Sequence, residues 1–204
     1  MTSALVKEAD VRKRLLFLPC LLIFCALAFA ACGSGASEES KVEEVIETAA
    51  ASNDPADCKR LQTLQFTEQA SHESAAAVGR CEEEAERGEG VEAATVSDVE
   101  VDGSNATAKA TLSGGTLDGQ TVEVSLVKSS DQWKLNEIVE FIKFDEPKLI
   151  ERLEGELEEG SGKVSVKFAK CFVESLKDGG QQEVEELLLS PASEEIEGVA
   201  QHCA

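Results

Sequence analysis

Seven cysteines, two histidines and no tyrosine bound the chemistry open to this 204-residue chain. Cys20 and Cys25 lie inside an apolar run, Cys32 directly follows it, and Cys58, Cys81, Cys171 and Cys203 lie in the polar remainder. No two of them are spaced as C-x-x-C, and His72 and His202 are too few for a zinc site of the usual ligand spacing. No metal and no cofactor is expected. G-x-S-x-G, H-E-x-x-H, a phosphate-cradling glycine loop and a calcium loop are all absent. The acidic runs Glu82-Glu83-Glu84 and Glu156 to Glu159 read as solvated helix faces. What remains is the chemistry of sulfur: cross-linking within the chain, and modification at Cys32.

The context of Cys32 favours modification. Val11 to Gly33 reads VRKRLLFLPCLLIFCALAFAACG. Arg12, Lys13 and Arg14 precede about sixteen apolar residues, and Ala30 and Ala31 sit directly before the cysteine, as in a secretory leader. The run falls short of the ~20 residues that cross a hydrocarbon core. Phe29-Ala30-Ala31-Cys32 resembles the lipobox of bacterial lipoproteins, although Leu usually stands where this chain has Phe29. The resemblance covers the first thirty-three residues. It implies that residues 1–31 are a signal peptide, and that Cys32 is diacylated (palmitate being the expected chain) and becomes the mature N-terminus. The protein would then be lipid-anchored to the cell membrane on its extracytoplasmic face. The competing reading is an ordinary cleaved leader with Cys32 incidental.

Export agrees with the rest of the composition. The leader carries four Lys/Arg and two Asp/Glu, so the net charge moves from −21 for the whole chain to −23 for the 173 residues beyond it. Such a body repels phosphates, which excludes nucleic acid as a partner. Beyond the leader the aromatics are Phe66, Phe141, Phe144, Phe168, Phe172 and Trp133, few for a surface that stacks sugars or bases. The even set Cys58, Cys81, Cys171 and Cys203 reads as two disulfides in an oxidising compartment, with three connectivities open.

The elements that position these residues follow from periodicity. Residues 32–41 (CGSGASEESK) read as a flexible linker, and Val42, Val45, Ile46 and Ala49 place a helix over 41–51. Asp54-Pro55 opens a second helix carrying Cys58, Leu61 and Gln65, and Ser71 opens a third carrying Ala77, Val78, Cys81 and Ala85. Cys58 and Cys81 fall on apolar faces of neighbouring helices, so they are the expected pair. From Val91 the period becomes two. Val99 and Val101; Ala106, Ala108, Ala110 and Leu112; Val122, Val124 and Leu126; and Trp133, Leu135, Val139 and Phe141 form the dry sides of four strands. Turns at Asp102-Gly103, Gly114 to Gly119 and Ser129 to Asp131 join them into an antiparallel meander with one wet face. Past Asp145 the period is helical again, with stripes at Leu149 to Leu157, Val164 to Leu176, Val184 to Leu188 and Ile196 to Cys203. Cys171 with Cys203 would staple the tail. The fold class is α+β: N-terminal helices packed on a curved four-stranded antiparallel sheet, followed by a C-terminal helical extension.

The order of residues in Val96 to Ile138, VSDVEVDGSNATAKATLSGGTLDGQTVEVSLVKSSDQWKLNEI, is similar to exported members of the nuclear transport factor 2-like (cystatin-like cone) superfamily. The resemblance implies a cone domain over 42–144 with a pocket at its wide end, and leaves 145–204 as a helical subdomain. Three alanines in a row, Ala106, Ala108 and Ala110, leave either a helix packed close or a hollow, and the close-packed helix is the preferred reading. A hollow would have Trp133 as its one aromatic wall and would suit a small apolar ligand. Some members of the superfamily are isomerases and cyclases, whose sites need a carboxylate or histidine base and oxyanion donors, often Tyr. Here Tyr is absent, His72 is expected on an exposed helical position, and Asp98 and Asp131 at strand edges or turns. The expected function is therefore that of a membrane-anchored binding module, not an enzyme, for a small apolar ligand or an envelope protein. The alternative is a small hydrolase or isomerase using the cone pocket.

Overall fold

The computed structural model describes residues 36–72, 74–88, 90–159, 166–190, 198 and 201–203. The leader, Cys32 and the linker as far as Gly35, the Gly160–Gly162 break, and Ile196 and Val199 lie outside the described residues, and Glu38 to Lys41, predicted as linker, are helical.

Helix α1 (Glu38–Ala51) starts where the Ser37 hydroxyl accepts the Ser40 amide, with Glu38 and Glu39 opposite the positive helix end. Val42 and Ile46, one turn apart, are buried on its inner face. The helix predicted from Asp54 through Gln65 is instead two. A single turn, α2 (Asp57–Arg60), is followed by α3 (Leu64–Ser71), which is capped by the Thr63 hydroxyl. The cause is tertiary. The Leu61 carbonyl accepts the Leu135 amide, and the Thr63 amide donates to the Leu135 carbonyl, both at 2.8 Å, so this segment pairs with the sheet edge. His72, at φ 52°, ends α3, and α4 (Ala77–Arg87) begins at Ala77 and not at Ser71.

The four strands β1 (Ala93–Asp102), β2 (Asn105–Ser113), β3 (Thr121–Ser129) and β4 (Gln132–Lys143) form an open antiparallel sheet in that order. Ser130 and Asp131 both take positive φ in the tight β3–β4 turn, a conformation Asp tolerates better than most side chains. Alternation is strict along β2 and β3, where Ala106, Ala108, Ala110 and Leu112 and then Val122, Val124 and Leu126 are buried.

On the two edge strands the alternation fails. One extra residue at Asp98–Val99 lets Val96 and Val99, three apart, share a face. β4 carries three such bulges, so its inward residues are Trp133, Leu135, Ile138 and Phe141, at steps of two, three and three. Val139, predicted on the dry side, is 43% exposed, and Ile138 takes its place in the core. Each bulge bends its strand and increases its twist, which curls both edges of the sheet around the helices.

Beyond the sheet, α5 (Glu146–Glu159) packs on α6 (Val166–Leu189), which breaks at Gly180 (φ 76°, ψ 174°) where two shorter helices were predicted. Leu149, Ile150, Val173, Leu176, Val184 and Leu187 make a second core. Two buried glutamines fasten this layer to the first. The Gln120 amide bonds both the N–H (2.6 Å) and the C=O (3.1 Å) of Asp145, ahead of α5. The Gln69 amide accepts from the Ile138 N–H and donates to the carbonyls of Ile138 and of Leu189, the last residue of α6. The Asp118 carboxylate adds the Gly114 amide, Lys148 and Arg152, and the Lys148 ammonium holds it well below the usual carboxylate range.

Candidate functional site

Where α1, α3 and α4 meet the inner face of the sheet, side chains do not fill the space. A cavity of about 230 Å³ remains. Its floor is Ala110, Leu112, Val122, Val124, Leu135 and Ile138. Ile46, Ala49 and Ala50 of α1, Phe66, Thr67 and Ala70 of α3, and Cys81 and Ala85 of α4 make the walls. It meets solvent beside Asp54 and Ala70, both exposed.

The alanine row is split by this arrangement. All three alanines are buried in one core with Val42 and Ile46 of α1, and Ala106 and Ala108 take no part in the cavity lining. Ala110, two residues on, opens on the hollow. The reason is geometric. The gap lies between three helices and the sheet, and the small side chain at 110 spans none of it.

Trp133 is not the aromatic wall; Phe66 is. Trp133 is 3% exposed and its indole N–H donates to Glu38 Oε2 at 2.9 Å, fixing the start of α1 to the far end of the sheet. Lys128, Lys41 and Trp133 together hold the Glu38 carboxyl down at about 2. Trp133 borders a second, more polar hollow of about 200 Å³ with Lys41, Glu44, Arg60 and Asp131.

The cysteines pair as Cys58–Cys81 and Cys171–Cys203, with Cα separations of 6.0 and 5.5 Å. The first bridge does more than cross-link, because both its cysteines line the cavity and hold α4 as a wall. Closing a loop of 23 residues contributes about 3 kcal/mol by the chain-entropy argument. The second bridge joins the C-terminal tail to α6.

The buried carboxylate at the cavity is Asp57. Its Oδ2 accepts the Ser52 hydroxyl at 2.6 Å and its Oδ1 accepts Arg60 at 2.7 Å. The Arg60 guanidinium, and after it the Ser52 hydroxyl, keep the carboxyl below its ordinary value despite burial. An anion so stabilised is a poor proton acceptor near neutrality, and it serves to hold the end of α1 against α2. Gln62 also lines the cavity, with its Nε2 unbonded among the described residues. His72, expected to be exposed, is half-buried with Nδ1 3.0 Å from the Ser190 carbonyl, so it fastens the end of α6. Asp98 pairs with Lys109 on the outer face, and Asp131 is exposed in its turn. Among the described residues no cluster of three or more His, Cys, Asp or Glu could hold a metal ion.

Comparison with protein families, with curated proteins and with solved structures finds no match for this chain.

Proposed function

We propose that this is a lipid-anchored extracytoplasmic binding protein whose cavity takes a small, largely apolar ligand. The observation that carries the reading is the hollow at Ala110, lined by aliphatic side chains, Phe66 and a disulfide in an otherwise close-packed core. Native interiors fill space to crystal-like density, so a void of this size opening at the surface favours occupancy over neglect. The two disulfides support an oxidising compartment, as the lipobox-like leader does. Helices followed by a curled antiparallel sheet accord with the nuclear transport factor 2-like resemblance. The membrane is then the first partner, through Cys32.

Two measurements on the full chain test the reading. Mass spectrometry of the membrane fraction should show acylated Cys32 as the N-terminal residue, and an unmodified chain retaining Met1 overturns the anchor. Toluene should give saturation-transfer signals with the protein that vanish in Ala110→Leu. Signals that persist in that variant place the binding elsewhere.

A further inference from the structure

Resting on the cavity reading above, we propose that the ligand is a small cationic amphiphile. Its apolar body of roughly nine non-hydrogen atoms lies on the sheet and its ammonium group sits at the Asp54 mouth. The size follows from volume. An apolar cavity of about 150 Å³ accepts benzene, with six carbons, so 230 Å³ scales to roughly nine.

Charge decides the head group. The lining includes three carboxylates, Asp54, Asp57 and Glu84, and among the described residues no Lys, Arg or His. Asp57 is paired with Arg60, whose guanidinium also feels the Asp54 charge, and Glu84 is paired with Arg80 at 2.9 Å. Asp54 is different. Its Oδ1 accepts the Ala56 amide at 2.9 Å, its Oδ2 has no hydrogen-bond partner among the described residues, and it is exposed at the mouth.

One helix end reinforces it. α1 stops at Ala51 with no basic residue in its last turn, whereas α4 ends on the basic Arg87 and is capped by Gly88. The end of α1 carries roughly half a negative charge on its free carbonyls. An ammonium group there faces a carboxylate and one negative helix end, whereas a carboxylate head, as on a fatty acid, is repelled by both.

The test uses the full chain in phosphatidylcholine nanodiscs, with empty nanodiscs as blank, titrated calorimetrically with phenethylamine, phenethyl alcohol and phenylacetate. These share a ring and nearly a size and differ in charge. The amine should bind roughly fivefold tighter than the alcohol, phenylacetate should not bind detectably, and added salt should narrow the gap. Asp54→Asn keeps the acceptor for Ala56 and should lower amine affinity to that of the alcohol, leaving the alcohol unchanged. Equal affinity for amine and alcohol, or an unaltered amine affinity in Asp54→Asn, overturns the cationic head and leaves the cavity reading standing. Failure of all three probes and of toluene overturns both.

Discussion

Leucine substituted at two positions of the same strand, on the same face, should move stability in opposite directions. Ala108 and Ala110 are each 1% exposed and two residues apart on β2. Both belong to the core with Val42 and Ile46, but only Ala110 lines the cavity of about 230 Å³. Leucine adds three carbons to alanine. At 110 they enter an existing hollow, where about 0.8 kcal/mol per buried methylene amounts to about 2.4 kcal/mol. Lost rotamer freedom takes back about 0.5–1 kcal/mol. The net gain is about 1–2 kcal/mol, or about 2–8 °C in Tm for a chain of this length. At 108 no space exists, and overpacking costs about 1–3 kcal/mol, a fall of about 2–12 °C. Thermal unfolding followed by circular dichroism without reductant reads both. If Ala110→Leu falls in Tm as far as Ala108→Leu, the hollow is not there for a side chain to fill, and the reasoning from the cavity fails with it.

Two further outcomes follow from the polar ties. Glu38 has its carboxyl lowered from 4.5 to about 2 by Lys128, Lys41 and Trp133. Its stabilisation is therefore fully present above pH 4.5 and lost as the pH falls toward 2, so Glu38→Gln should lower Tm at neutral pH and flatten the acid limb of the Tm–pH curve. An acid limb as steep in Glu38→Gln as in the parent refutes this. Gln120→Leu removes both bonds to the Asp145 backbone and should cost about 1–3 kcal/mol. Hydrogen exchange should then speed first in α5 and α6, and protection lost equally in the sheet would show that the glutamine does not act as the tie between layers.

Period-two patterning, turn residues and cysteine placement are local properties, and they determined much of this protein from sequence alone. The α+β class, the four strands and their turns, and a disulfide between Cys58 and Cys81 were legible because each rests on neighbours in the chain or on one face of one element. The bulges were not. An extra residue in β4 is selected by its fit to β3 and to the helices beneath, and it carries no mark such as glycine, so Val139 was placed inside and Ile138 overlooked. The break of the second helix at Leu61–Thr63 was hidden for the same reason, since its stabilising bonds go to Leu135 on a strand more than seventy residues away. The alanine row showed that space could open, and only the packing of three helices on the sheet decided where. That packing leaves Ala106 and Ala108 outside the cavity, opens Ala110 onto it, and places Asp54 in its exposed rim. A cavity is a property of what several elements fail to fill together, and no single stretch of sequence encodes it.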